Sequence, residues 1–237
     1  MSTDTTPARR PALQTRGLTK SYGAAHERAA LAPLDLSIEQ GQLVALVGHN
    51  GSGKTTLLRM AAGLLDPSGG SVEIDGSPRG SIPARAALAY LSDHPTFYDD
   101  LSLLEHLEFV ARMHGVTEWH ERAVELTTRL GIEERLDKLP NTFSRGLRQK
   151  AAISLGFIRP FSLLIVDEPF VGLDSAGKST LLDLFDEAHR SGATVVVATH
   201  ELGFVSRADR LIALADGELR YDGPPGETDV QQLVFHT

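Results

Sequence analysis

Gly48-His49-Asn50-Gly51-Ser52-Gly53-Lys54-Thr55 follows directly on the apolar run Leu43-Val44-Ala45-Leu46-Val47 and precedes Leu57, Leu58, Met60, Ala61 and Leu64 at helical spacing. It meets every fixed position of G-x-x-x-x-G-K-[ST] at the point where a strand gives way to a helix, which is the context the pattern requires. The glycines let successive backbone N–H groups turn inward, and a helix starting near Lys54 aims its positive end at the same point. The segment therefore reads as a phosphate cradle. Lys54 is the point charge for β- and γ-phosphates, and Thr55 offers its hydroxyl to Mg²⁺. Gly48, His49, Asn50, Gly51, Ser52, Gly53, Lys54, Thr55 and Thr56 together form the candidate ATP-binding loop.

A chain of 237 residues holds one large α/β domain or two small ones and buries a core without staples. A single nucleotide-binding domain over 12–237 is the simplest division, with Met1 to Pro11 as a disordered tail. That tail carries two arginines and no apolar centre, so it is not a signal peptide. The net charge of -8, from 23 Lys+Arg against 31 Asp+Glu, argues against a nucleic-acid partner. Cysteine is absent, which excludes a disulfide frame or a thiolate metal site and is compatible with a reducing cytoplasm. Apolar runs such as Thr194 to Ala198 are too short to cross a bilayer, so a membrane span, if one is needed, belongs to another polypeptide.

Strand patterns cover Leu13 to Leu18, Leu34 to Ile38, Leu43 to Val47, Ser71 to Ile74 and Ala87 to Leu91, with a turn at Glu39-Gln40-Gly41 and a loop at Asp66 to Gly70. The pattern then changes to helical. Ser102-Leu103-Leu104-Glu105 reads as a capping box ahead of Leu107, Val110 and Ala111, and Trp119, Ala123, Leu126 and Leu130 mark a second helix. A helical subdomain of about 95–158 is thus inserted in an α/β chain. Beyond it, Phe161 to Val166 and Ala193 to Ala198 read as buried strands around a helix at Ser175 to His189, the alternation of a parallel sheet. Arg210 to Ala215, the turn Asp216-Gly217 and Glu218 to Tyr221 read as a β-hairpin.

Asp167 and Glu168 stand at the carboxyl end of one buried strand, where parallel sheets bind ligands. Asp167 is placed to hold the Mg²⁺ that Thr55 contacts, and Glu168 to polarise a water towards the γ-phosphate. His200, in Thr199-His200-Glu201, leaves another buried strand at the same edge, where it can hydrogen-bond a phosphate oxygen or the attacking water.

The order of phosphate loop, helical insertion, Phe143-Ser144-Arg145-Gly146-Leu147-Arg148-Gln149, Asp167-Glu168, Gly172-Leu173-Asp174 and His200 resembles the ATP-binding-cassette (ABC) transporter family over about 13–222. The resemblance implies an α/β P-loop ATPase with a mainly parallel sheet, an antiparallel β subdomain and an α-helical insertion. It also implies that Tyr22 stacks on adenine, and that Ser144, Arg145 and Gly146 face the ATP held by the phosphate loop of a second chain. Two ATPs would be sandwiched in a head-to-tail homodimer or heterodimer, with Asp174 at the interface. Ser144 as N-cap of Arg145 to Ile158, and Gly146 allowing close backbone approach, make that helix start a second anion site on physical grounds as well.

This chain departs from the family pattern in two places. Arg145 replaces the first of two usual glycines and Leu147 a frequent glutamine, a variant that looks like those of drug, antibiotic and haem exporters. Where the sheet meets the insertion, Ser92-Asp93-His94 stands in place of the usual glutamine, and either Asp93 or His94 takes over its metal or water contact. Pro95, Phe97, Tyr98 and Leu101 either receive a helix from a membrane partner or cover the insertion's own core. The reading implied is an ATP-hydrolysing subunit, with Glu168, His200 and Lys54 as its catalytic residues, driving separate transmembrane permease subunits from the cytoplasmic face of the membrane. The short tail after Tyr221 and the signature favour export over import. The alternatives are a non-transport ABC ATPase and a hydrolysis-impaired partner in a heterodimer.

Overall fold

The computed structural model describes residues 10–23 and 29–227. Most of the expected tail, 1–9, and the last residues of the expected domain, 228–237, lie outside the described residues.

Alternating burial builds the first strands, β1 (Leu13–Lys20) and β2 (Leu31–Ile38), which pair antiparallel with Leu13 opposite Ile38. β2 starts ahead of the expected Leu34 and runs through Pro33, which is tolerated because β2 is an edge strand. β3 (Leu43–Val47) is buried throughout and leads to α1 (Lys54–Ala61). β4 (Gly69–Ile74) pairs with the other side of β1, and the short β5 (Ser77–Pro78) completes a four-stranded antiparallel sheet, β2-β1-β4-β5.

A helix absent from the sequence expectation follows, α2 (Ile82–Ala87), and it shortens the next strand to β6 (Leu88–Leu91). Its start signals are local: the Ser81 side chain accepts from the Ala84 N–H, and Pro83 lies in the first turn. The helical insertion contains α3 (Leu103–Met113), α4 (Trp119–Arg129) and α5 (Arg145–Phe157). The capping box of α3 is complete: Glu105 N–H donates to Ser102 Oγ at 3.3 Å, and Ser102 N–H to Glu105 Oε2 at 2.7 Å. The chain then forms β7 (Leu163–Asp167), α6 (Ser175–Arg190), β8 (Thr194–Ala198), α7 (Leu202–Val205), and the hairpin β9 (Arg210–Ala215) and β10 (Glu218–Gly223).

The larger sheet has the order β10-β9-β3-β8-β7-β6, parallel except for the edge strand β10. Its central strands are apolar on both faces because both faces are covered. Leu43, Ala45 and Val47 of β3, with Leu164, Val166, Val195 and Val197, pack against the helices of the insertion and α6. Val44 and Leu46, with Leu163, Ile165 and Val196, pack against α1 and the antiparallel sheet through Leu57, Leu58, Met60, Leu13 and Ile38. The parallel strands deliver the phosphate loop, Asp167 and Thr199-His200 to one edge. Among the described residues no helix is long and apolar enough to cross a membrane.

Candidate functional site

The loop after β3 is shaped by backbone contacts that only glycine permits at its first position. Gly48 has φ 150°, and a Cβ there would run into the Leu214 carbonyl oxygen and lie 2.6 Å from Ser52 Oγ. Gly53 is the N-cap of α1, so no side chain occupies the first free N–H groups of that helix, and its first turn carries no acidic residue. Lys54 is almost fully buried, and its Nζ donates to the carbonyls of Gly48 at 2.6 Å and His49 at 3.3 Å. Burial pulls its pKa below the usual lysine range, against the opposing pull of Glu168 and Asp167. The β9–β10 turn braces the loop from outside. Gly217 N–H donates to the Ser52 carbonyl at 3.0 Å, and His49 Nε2 lies 3.7 Å from Asp216 Oδ1.

Asp167 ends β7 with no exposed surface, and among the described residues neither of its carboxylate oxygens has a full hydrogen bond. Burial raises its pKa, and the nearby Thr55 side chain opposes that rise. A buried carboxylate with free lone pairs beside a threonine hydroxyl is a donor set suited to a hard divalent cation. Glu168 adopts a left-handed backbone, φ 44°, anchored by its N–H to the Ala198 carbonyl at 2.9 Å. Its Oε1 lies 3.1 Å from His200 Nε2. Burial, then the charge of Asp167, raise Glu168 to about 7, against the opposing effect of Lys54. Burial and then Lys54 lower His200, whose Nδ1 is buried without a partner among the described residues. The arrangement can hold a carboxyl near its midpoint at neutral pH, which suits a proton acceptor.

Ser144 caps α5, accepting from Leu147 N–H at 3.3 Å, and no acidic residue lies in that helix's first turn. Gly146 makes its close approach within the chain: a Cβ there would sit 2.5 Å from the Gly172 carbonyl oxygen. The glycine thus seats α5 against the segment leading to Asp174. Asp174 caps α6 through Gly177 N–H at 2.8 Å and pairs with Lys150 Nζ of α5 at 3.1 Å, and these contacts lower its pKa. Among the described residues, no hydrogen bond or ion pair joins Ser144, Arg145 or Gly146 to Lys54, Asp167, Glu168 or His200. Tyr22, just past β1, is 68% exposed, with Lys20 Nζ 5.2 Å from its ring centre.

Beside β6 an open groove of about 540 Å³ is lined by Arg59, Leu64, Phe97, Val110, Leu155 and Arg159, among others. Phe97 packs partly into the core while Tyr98 is exposed, so the aromatic pair divides between the two accounts of it. The residue that holds them was not singled out from the sequence. His106 accepts from Tyr98 N–H through Nε2 at 2.9 Å, and its Nδ1 reaches the Ser102 carbonyl at 2.8 Å, which makes the ring neutral with the proton on Nδ1. Its ring meets Phe97 edge-on and stacks on Tyr98. His106→Ala is expected to leave the Tyr98 N–H without its partner, while the Ser102 carbonyl still accepts from the backbone N–H of residue 106 at 3.0 Å, and to destabilise the chain by about 1–3 kcal/mol. Hydrogen exchange checks this: the Tyr98 amide should exchange faster while that of Ala89 in β6 does not.

The family model for ABC transporter matches residues 31–171. The ABC-type transporter ATP-binding protein EcsA of Bacillus subtilis (strain 168) is 36% identical over 91% of this chain and 88% of its own length. The SkfA peptide export ATP-binding protein SkfE of the same organism is 36% identical over 89% and 88%. A solved structure described as the dimeric post-hydrolysis state of the ATP-binding cassette MJ0796 bound to ADP and Pi superimposes with TM-score 0.81 at 26% identity, covering 90% of this chain and 98% of the other. With its phosphate loop, buried acidic strand and capped signature helix, the chain belongs to the ABC transporter family, as an ATP-binding subunit that hydrolyses ATP.

Proposed function

We propose that the chain is the motor of an exporter, working as a pair of cassettes that share two ATPs and move separate transmembrane permease subunits from the cytoplasmic face of the membrane. Adenine stacks on the exposed Tyr22 face, and the phosphates lie in Gly48 to Thr56 with Lys54 on the β- and γ-phosphates. Thr55 and Asp167 would hold Mg²⁺, which when bound would offset phosphate charge. Glu168 accepts a proton from the attacking water, and His200 holds Glu168 and the γ-phosphate side in register. Ser144, Arg145 and Gly146 meet the ATP of the facing cassette, and Asp174 ties that contact to α5 through Lys150. A helix of the permease seats in the groove beside Phe97 and Tyr98, so that closure of the pair is passed to the membrane. Export is supported by the relative named for peptide export.

The observation that carries this reading is the division of the site. Lys54, Asp167, Glu168 and His200 converge, while the first turn of α5, which carries Arg145 and Arg148 and no acidic residue, is joined to none of them. Light scattering of Glu168→Gln with and without Mg-ATP tests it, with a doubling of mass expected on addition of nucleotide. Adding Gly146→Ala, which must displace the Gly172 carbonyl, should abolish the doubling and leave ATP affinity of the single chain unchanged. Mass that stays monomeric in Glu168→Gln at saturating Mg-ATP overturns the shared site.

A further inference from the structure

We propose that Lys178 and Glu201 are positioning residues for hydrolysis: their ion pair fixes the turn that carries His200 and so keeps the imidazole on Glu168. The proposal rests on the reading that Glu168 accepts a proton from the attacking water and that His200 holds it in register. Lys178 Nζ, in the first turns of α6, donates to Glu201 Oε2 at 2.6 Å, one residue beyond His200. Glu168, Lys178, His200 and Glu201 line one open cleft of about 400 Å³, together with Gly172 and Leu173. The pair therefore borders the place where the chemistry is assigned.

The His200 ring has little hold of its own. Nε2 lies 3.1 Å from Glu168 Oε1, while Nδ1 is buried with no hydrogen-bond partner among the described residues. A ring tied at one nitrogen takes its direction from its backbone. On the near side that backbone is anchored in the sheet, because the buried Thr199 donates its N–H to the Leu46 carbonyl of β3 at 3.1 Å. On the far side the backbone contacts are local: Glu201 N–H donates to Thr199 Oγ1 at 3.0 Å, and the Glu201 carbonyl accepts from Phe204 and Val205 N–H as α7 begins. α7 has 4 residues, too few to be a firm anchor by itself. The Lys178–Glu201 pair ties this side to α6, a helix of 16 residues whose start is fixed by the Asp174 cap and by Lys178 N–H on the Asp174 carbonyl at 2.9 Å. A second pair, Arg207 with Asp186 of α6 at 2.8 Å, joins the same helix to the chain beyond α7 and does not flank His200. Both pairs are partly exposed, so neither is a large source of stability and their difference is to be read in rate.

The test is steady-state Mg-ATP hydrolysis by the full chain in wild type, Lys178→Met, Glu201→Gln, Lys178→Arg, Arg207→Met, and His200→Ala alone and combined with Lys178→Met, with melting as the check of folding. Lys178→Met and Glu201→Gln should each lower kcat about tenfold and leave KM within about twofold of wild type, because the pair orders the reacting groups and does not hold the phosphates. Lys178→Arg should restore most of the rate, and Arg207→Met should match wild type. Once His200 is replaced by alanine, Lys178→Met should lower kcat no further. A wild-type kcat in Lys178→Met, an equal loss in Arg207→Met, or a Lys178→Met loss that persists in full alongside His200→Ala each overturns the positioning role while leaving His200 in its place. Hydrolysis at the wild-type rate in His200→Ala overturns the reading of His200 and the proposal with it, so the two failures are distinguishable.

Discussion

Glu168→Gln is expected to lower ATP hydrolysis by about 10²–10⁴-fold, the range for removing a positioned general base, while ATP binding is retained. The glutamine keeps shape and reach but cannot accept the proton. A second consequence appears without nucleotide. Glu168 sits at about 7 in the folded chain, above its ordinary 4.5, mainly because burial penalises the carboxylate. Between those values the folded state binds more protons than the unfolded state, so stability falls as pH rises. The group's contribution is fully present below the unfolded value and is lost as pH passes through the folded one, up to about 3 kcal/mol in all. His200 runs the other way, because burial lowers its pKa and its neutral form is the one favoured in the fold. The difference in melting behaviour between wild type and Glu168→Gln across pH 5 to 8 isolates the Glu168 part, with the variant more stable at the alkaline end. A variant that hydrolyses ATP at the wild-type rate would remove Glu168 from the base role. Equal pH slopes in both chains would remove the burial account of its pKa.

The sequence made the parallel sheet legible because strands buried on both faces leave uninterrupted apolar runs. Leu43 to Val47 and Leu163 to Val166 are visible as such, and their carboxyl ends locate the loop and the acids without further information. α2 was not legible because it is short and buries only Ala84, which leaves no apolar stripe to detect; its signal was the capping Ser81 with Pro83. Contacts between distant backbone atoms leave no pattern at all. Nothing local shows that Gly217 supports the Ser52 carbonyl, or that Gly146 needs its missing side chain because of Gly172. His106 illustrates a third limit. Within the apolar stripe of α3 it reads as packing, and only its partners Tyr98 and Ser102 reveal that it fixes the aromatic segment beside the groove.

Lys54→Met should weaken ATP binding by about 100-fold or more, since charge-assisted hydrogen bonds contribute about 1.5–3 kcal/mol each and the role proposed for the ammonium serves two phosphates. In the structure this ammonium already donates to the carbonyls of Gly48 and His49. It is therefore held by the loop it serves, and nucleotide meets a charge that is already positioned. Methionine fills the volume of the lysine stem but removes the donor to the buried Gly48 carbonyl, a cost of about 1–3 kcal/mol, so circular dichroism and melting check that the chain is folded. Lys54 also holds the Glu168 pKa down, so its removal should push that carboxyl above about 7 and carry the loss of stability on to higher pH. The two substitutions thus shift Glu168 in ways that can be told apart. Glu168→Gln removes the pH slope and keeps binding, whereas Lys54→Met keeps the slope, moves it to higher pH and loses binding. Calorimetric titration with Mg-ATP reads the first difference and melting against pH the second. ATP affinity in Lys54→Met within a few-fold of wild type would mean that the backbone N–H groups of the loop and the start of α1 hold the phosphates without help, and that Lys54 serves chiefly to balance Asp167 and Glu168.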